Sequence, residues 1–331
     1  MRAWKVNSFG EPADVLTLET DAESFEAKSN QVKIKVEAAG LGLPDVFMCQ
    51  NTYPLTPPLP FVPSQEAAGV IVEVGEDVDR NLIGKRVLGP TLFQAQKGGL
   101  ADLCLMSAQA IYEIPEGMGS EEAAGFFIPY QTAWVGLVHR ASLTANDTVL
   151  ILGASGSSGC AAVQLAKAVG ARVIAVAGGP EKSEFCSALG ADEVIDHHRE
   201  DITRSARELT EGRGVEVVFD PVGGKPGRAA FKAIAFEGRF VVIGFASGEW
   251  ARINISETLL GNISLIGSMP TGFSPEFFTR AHQGLMKYWN DGKLKVVGNQ
   301  VFDFMDGLRA IQHIASGKVE GKVVVRVWRS D

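Results

Sequence analysis

The chain has 331 residues, 46% hydrophobic and 21% charged, the balance of an ordinary globular protein of one or two domains with length enough for a sizeable core. With 39 acidic and 31 basic side chains its formal charge is -8 and no Lys/Arg-rich run stands out, which argues against nucleic acid or an anionic membrane surface as partner. No apolar stretch approaches the roughly 20 residues that cross a bilayer, and the opening MRAWKVNSFG lacks the apolar core of a secretory signal. The four cysteines, Cys49, Cys104, Cys160 and Cys186, are scattered without CxxC or zinc-finger spacing, so packed, reduced thiols and a cytoplasmic location are expected.

The first hundred or so residues read as β-rich. QVKIKVEAAG (31–40) alternates Val32, Ile34 and Val36 with polar partners, the period-2 sign of a half-buried strand. AAGVIVEVGEDV (67–78) continues as a strand into Gly75, and GKRVLGP (84–90) supplies another, bounded by glycine and proline. Between them the five prolines of YPLTPPLPFVP (53–63) forbid regular structure and imply a stiff extended loop, a suitable wall for a site. SEEAAGFFIPYQTAWVGLVHRA (120–141) then predicts a helix behind a serine cap. From DTVLILG (147–153) to RFVVIGF (239–245) strands and helices alternate, the rhythm of a parallel sheet covered by helices on both faces. From about Ser274 the chain predicts a helix (275–292), a short strand, a second helix (305–317) and a last strand, KVVVRVW (322–328). The expected architecture is α/β: a β-rich domain over 1–123, a doubly wound domain over 124–272, and a return to the first over 273–331.

VLILGASGSSG (149–159) places an apolar run ahead of Gly153, Gly156 and Gly159. In a strand–turn–helix unit such glycines permit the tight turn, the approach of backbone to a pyrophosphate and close helix–strand packing, while the helix N-terminus attracts the anion. The spacing is GxxGxxG rather than GxGxxG, so the glycines alone leave a plain turn open; the strand before and the helix and strand after them point to a dinucleotide. The second strand ends Ala177-Gly178-Gly179-Pro180-Glu181-Lys182, with no carboxylate where an NAD site carries one for the ribose 2′-hydroxyl. Two glycines leave room for a 2′-phosphate and Lys182 can pair with it, so NADPH is expected. Glu181 either caps the following helix or swings back toward the ribose.

GASGSSG, the strand end followed by PEK, GADEVIDH, GVEVVFDPVG, GRFVVIGF and GKVVVRV, with AAGLGLPDVFMCQNTYP and FVPSQEAAGVIVEVG upstream, resemble the zinc-free quinone oxidoreductases (NADPH:quinone reductases, zeta-crystallin-like). These are a branch of the medium-chain dehydrogenase/reductase superfamily, and the resemblance covers essentially the whole chain. It implies a GroES-like catalytic domain, a Rossmann cofactor domain, NADPH, a small-molecule electron acceptor and a homodimer formed along the sheet edge at LIGSMP. The turn Gly153, Ala154, Ser155, Gly156, Ser157, Ser158 and Gly159 would bind the cofactor, its last four residues facing the pyrophosphate. Gly178, Gly179 and Lys182 would hold the 2′-phosphate end. His197 stands where relatives often have a tyrosine against the adenine ribose, with His198 expected to be simply exposed. Val222 and the strand end Ile243, Gly244 and Phe245 would approach the nicotinamide, and Thr132 its ribose.

Zinc-dependent members of the superfamily hold their metal through a Cys, a His with an adjoining Glu, and a further Cys or Asp. The Cys position falls on Gly42 and the His position on Gln65, with only Glu66 kept, and 89–103 (GPTLFQAQKGGLADL) lacks the cysteines of a structural zinc lobe. Neither a glycine nor an amide is a credible zinc ligand. Without a metal to stabilise an alkoxide, hydride delivery to a quinone or to the β-carbon of an α,β-unsaturated carbonyl is the easier chemistry, since the acceptor spreads charge over a conjugated oxygen. Tyr53 matches a family active-site tyrosine as weak acid or orienter, or else packs on the prolines. Gln65 is read as a substitute amide or a structural one, because relatives carry an asparagine where this chain has Gly42, whose absence enlarges the pocket. Phe47 and Phe61 line that pocket or belong to the core, and Asp45 is read as fixing the loop backbone. An enoyl-thioester reductase and a low-turnover NADPH-binding protein with a structural or regulatory role are the alternatives.

Overall fold

The computed structural model describes residues 1–298 and 300–328. They form two compact units, Met1–Ile128 together with the chain from Val296 onward, and Pro129–Lys295. Among the described residues no helix is long and apolar enough to cross a membrane.

The first unit is built on the strand Gln31–Leu41, where the alternation of Val32, Ile34 and Val36 turns all three into the core. The sheet runs in the order 300–303, 323–326, 31–41, 66–74, 86–90, 112–113, and 103–107 pairs with 31–41 as well. The strand Gln31–Leu41 serves two further neighbours with its two halves, 31–35 pairing with 103–107 and 38–41 with 323–326, while its register against 66–74 slips between Lys33 and Ile34 and again between Val36 and Ala38, irregularities that bend and twist a strand. Ile71, Leu100, Met106 and Val325 close over the same core. The proline stretch forms no strand of its own; Phe61 only bridges to Val6, exchanging two backbone hydrogen bonds of 2.9 and 3.1 Å.

The second unit is a parallel sheet in the order 193–196, 172–177, 148–151, 215–220, 234–242, 264–267. Its inner strands are near-continuous apolar runs, as burial on both faces requires: Val149, Leu150, Ile151, Val217, Val218 and Phe219 have no exposed surface. The chain leaves the sheet in opposite directions from the neighbouring strands Thr148–Ile151 and Val215–Asp220, the switch point at which ligands bind beyond the carboxyl ends of such sheets.

The expected division differs from the observed one at both joints. The helix Pro275–Asn290 belongs to the parallel-sheet unit and not to the return segment, which begins only at Val296. Its packing explains why: Gly284 lies so close to the Trp134 indole that a Cβ would fall 2.2 Å from it, and the His139 and Phe277 rings meet edge-on at 4.7 Å. Lys295, just beyond, donates its N–H to Gln164 Oε1 (2.8 Å) and accepts from the Tyr130 hydroxyl (2.7 Å). The single helix expected over 120–141 is broken into Ser120–Ala124, Phe127–Ala133 and a widened π turn over Trp134–Arg140, in which the Ala141 N–H reaches back to the Gly136 carbonyl (3.0 Å). Gly136 packs against Phe219 and Ile243, each 3.0 Å from where its Cβ would be. The helix that follows the strand Val215–Asp220 runs from Gly224 to Lys232, and Ile234 already begins the next strand.

Candidate active site

In the parallel-sheet unit every cofactor candidate except Thr132 follows the carboxyl end of a strand. Gly153 turns the chain with φ +56°, and a Cβ there would press Val222 Cγ2 at 3.0 Å, which brings the turn against Val222. Gly159 is the helix–strand contact: a Cβ would stand 2.2 Å from the Gly153 oxygen. Gly156 differs, for nothing but that same oxygen, at 3.4 Å, approaches its Cβ position, so the protein makes no steric demand for glycine there and the bare backbone is left to a ligand. It is also the N-cap of Ser157–Val169 with no side-chain cap, which leaves first-turn N–H groups for an anion. Gly156, Ser157 and Ser158 keep exposed surface, whereas Ala154 and Ser155 are buried and act structurally: Ala154 donates its N–H to Val176 (3.1 Å), and the Ser155 carbonyl accepts from Cys160 Sγ (3.4 Å).

Val222 is held by Asp220, whose Oδ1 accepts the N–H groups of Val222 (2.9 Å) and Gly223 (2.7 Å) while burial raises its carboxyl pKa. The Asp220 carbonyl also accepts from Ile243 (2.9 Å) and Gly244 (3.2 Å), so one residue ties together both strand ends assigned to the nicotinamide side. Phe245 lies against Trp250 with ring centroids 4.6 Å apart and planes tilted by 36°. Thr132 is buried on the helix Phe127–Ala133.

At the end of the second strand Gly179 takes φ +87° and donates to Asp196 Oδ1 (2.8 Å). The room beside Gly178 is not open: a Cβ would lie 2.7 Å from His198 Nε2 and 2.9 Å from His197 Nε2. His198 is therefore not merely an exposed side chain, since its ring folds back over the same glycine as its neighbour's. Lys182 lies close enough to influence the titration of His197, and no carboxylate occupies 177–179.

In the β-rich unit the helix Leu43–Cys49 starts at Gly42, whose N–H is capped by Asp45 Oδ2 (2.8 Å). Asp45 Oδ1 accepts the N–H of Ser64 (2.7 Å), so a single buried carboxylate joins the helix to the segment carrying Gln65. Its burial outweighs these two bonds and lifts its pKa to about 6. Ser64 is held in the left-handed region at φ +81°, its hydroxyl donating to the carbonyls of Gly40 (3.0 Å) and Glu66 (2.8 Å). Gln65 follows with its Nε2 buried and its side-chain amide next to the Tyr53 phenol. Tyr53 is half-buried; desolvation pushes its phenol above the ordinary range, although the neighbouring Gln65 amide pulls the other way.

Phe47 keeps partial exposure on its helix, but Phe61, expected as a possible pocket wall, is 1% exposed in the core. The bridge to Val6 turns its ring inward. Lys322 and Glu66 form a buried ion pair, and Lys322 Nζ comes within 4.0 Å of where a Cβ on Gly42 would be. No sequence spacing signals that pair. Gly42 offers no side chain and Gln65 only an amide, and among the described residues no group of three or more His, Cys, Asp or Glu is placed to hold a metal. These residues do not fit a catalytic zinc.

Residues 28–142 match the alcohol dehydrogenase GroES-like domain family and residues 159–284 the zinc-binding dehydrogenase family. A quinone oxidoreductase-like protein 2 homolog from Nematostella vectensis is 35% identical over 329 residues, spanning 98% of this chain and 88% of the relative. A mycobacterial protein solved in complex with NADPH superposes with a TM-score of 0.91 at 29% identity, covering 99% of this chain and all (100%) of the other. The Escherichia coli quinone oxidoreductase, also solved with NADPH, gives 0.89 at 25% identity, with coverage of 99% and 100%. The chain belongs to the quinone oxidoreductase branch of the medium-chain dehydrogenase/reductase superfamily.

Proposed function

We propose that the protein is an NADPH-dependent, zinc-independent reductase of quinones or α,β-unsaturated carbonyls. The observation that carries this reading is the second strand end: glycine at 178, no carboxylate among residues 177–179, the Asp196 carboxylate tied to backbone N–H groups, and the side chains of His197, His198 and Lys182 close by, a setting that favours a phosphate over a bare ribose hydroxyl. The residues fit the cofactor elsewhere too. Gly156, Ser157 and Ser158 leave backbone for the pyrophosphate, Thr132 is assigned to the nicotinamide ribose, and Val222, Ile243, Gly244 and Phe245 to the nicotinamide side. Bound NADPH supplies the hydride. The protein's own contribution to the acceptor is polar: Tyr53, kept protonated by burial, and the buried Nε2 of its neighbour Gln65 offer hydrogens to the oxygen on which negative charge gathers. Phe47, which keeps partial exposure, and Gly42, which has no side chain, are assigned to the wall of the acceptor pocket.

The same reading includes a homodimer and a cytoplasmic setting. Ile255, Leu259 and Leu260 are 78%, 77% and 82% exposed on one short helix beside the edge strand Ser264–Gly267, where a second copy of the chain would both cover the apolar face and extend the sheet. All four cysteines are buried and outside any disulfide, which suits a reducing compartment. The test is NADPH and NADH oxidation against panels of quinones, enones and enoyl thioesters, with metal analysis of the purified protein. NADPH oxidation by a quinone or enone is expected. Equal use of NADH, or stoichiometric zinc, overturns the reading, and turnover confined to thioesters would make the protein an enoyl reductase. Tight NADPH binding without turnover on any acceptor would make it a binding protein.

A further inference from the structure

The two imidazoles over Gly178 are fixed from the main chain. His197 donates its N–H to the Ala177 carbonyl (3.0 Å), and His198 donates its own to Asp196 Oδ1 (3.1 Å), the atom that also accepts from Gly179 (2.8 Å). One carboxylate thus ties the chain on both sides of the strand end, and the rings meet edge-on with centroids 4.6 Å apart. We propose that His198 joins His197 and Lys182 in gripping the 2′-phosphate of NADPH, so that preference for NADPH over NADH is linked to protonation and strengthens as pH falls from 8 to 6. This rests on the NADPH reading above and adds to it a second histidine and a pH dependence.

The charged groups around the rings are Lys182 from the helix Pro180–Ala188, and Asp196, Arg199 and Glu200 on the histidines' own turn. Asp196 is spent on backbone N–H groups, and Glu200 Oε1 accepts from the Asp196 N–H (3.0 Å). With no anion bound, desolvation and then the neighbouring His198 hold His197 below the ordinary imidazole range, so it is largely neutral at neutral pH. A phosphate dianion adds negative charge beside the rings, which favours the imidazolium form. Phosphate monoesters lose their second proton near pH 6, so the window in which a dianion meets a protonated imidazole lies just above that. NADH lacks the group and gains nothing. Glycine at 178 is the condition in the sequence, since any side chain there would collide with the rings.

The test is titration of the full-length protein with NADPH and with NADH, followed by nicotinamide fluorescence, between pH 6 and 8. The Kd for NADPH is expected to be about tenfold lower at pH 6 than at pH 8, while that for NADH stays flat. His198→Asn and His197→Asn should each weaken NADPH binding at pH 6 by about three- to tenfold and reduce the slope, with an unchanged thermal melt as the control for folding. A wild type that prefers NADPH equally at every pH, or a His198→Asn variant with the full slope, overturns the histidine proposal and leaves the NADPH reading standing. Equal affinity for both cofactors throughout overturns both.

Discussion

A Cβ on Gly159 would stand 2.2 Å from the carbonyl oxygen of Gly153, whereas one on Gly156 would come no nearer than 3.4 Å to the same atom. The two glycines of one turn therefore answer to different constraints, one to the fold and one to the ligand. Gly159→Ala should cost about 3 kcal/mol of stability, because helix and strand must move apart. Gly156→Ala, at φ −82°, should cost less than about 1 kcal/mol yet weaken NADPH binding at least about tenfold. Thermal melts and cofactor titration of both variants check this, and a Gly156→Ala protein with wild-type affinity would remove Gly156 from the cofactor site.

Asp45 is retained at a cost to stability. Its carboxyl is raised from an ordinary 3.8 to about 6, first by burial, so between those pH values the folded protein holds a proton that the unfolded chain has released. Its contribution is full below pH 3.8 and falls by about 3 kcal/mol as pH rises through 6. Asp45→Asn should abolish that fall, so the stability of wild type relative to the variant declines over the same window in urea denaturation. Activity should respond differently. An amide accepts only one of the two N–H groups of Gly42 and Ser64, and with that tie broken Gln65 is displaced, so kcat should drop about ten- to a hundredfold at pH 7. An Asn variant with full activity would show that the tie does not position Gln65.

What could be read from the sequence was what local pattern determines. The parallel strands are apolar runs closed by Gly153, Gly178 or Gly223, and helices follow them, so the doubly wound unit is legible residue by residue. The joints are not. The apolar face of Pro275–Asn290 does not say which sheet it will meet, and the answer depends on Trp134 lying against Gly284. Side-chain partnerships are hidden for the same reason: Glu66 and Lys322 lie 256 positions apart, and nothing in the HH dipeptide indicates that the second ring folds back over Gly178. For Phe61 the sequence leaves pocket wall and core both open, and its pairing with Val6 settles it in the core.

His282 should make the parallel-sheet unit acid-sensitive. Burial lowers its imidazole from 6.5 to about 4, so over that interval the unfolded chain takes up a proton that the folded protein refuses. The contribution is fully present above pH 6.5 and up to about 3 kcal/mol is lost as pH falls to 4, opposite in sign to that of Asp45. Hydrogen exchange of the helix Pro275–Asn290 in wild type and His282→Leu should diverge below pH 6.5, the wild type opening more readily. Parallel profiles would place the acid sensitivity elsewhere.

The Lys322–Glu66 pair separates a structural charge from a dispensable one. Both groups are almost wholly buried, and Glu66 Oε2 also accepts the N–H of Ile128 (2.8 Å), so removing the lysine strands a carboxylate that still has a neutral donor but no counter-charge. Burial already pushes the Glu66 pKa up against the pull of Lys322. Lys322→Met alone should cost about 3–5 kcal/mol, since an uncompensated buried charge is the expensive outcome. In Lys322→Met/Glu66→Gln the amide oxygen keeps the Ile128 bond and no charge is left, so most of that loss should return, to within about 1–2 kcal/mol of wild type. Urea denaturation of the two singles and the double closes the cycle. If the double variant is as unstable as the two singles added together, the pair is uncoupled and the lysine matters to this unit by its packing alone.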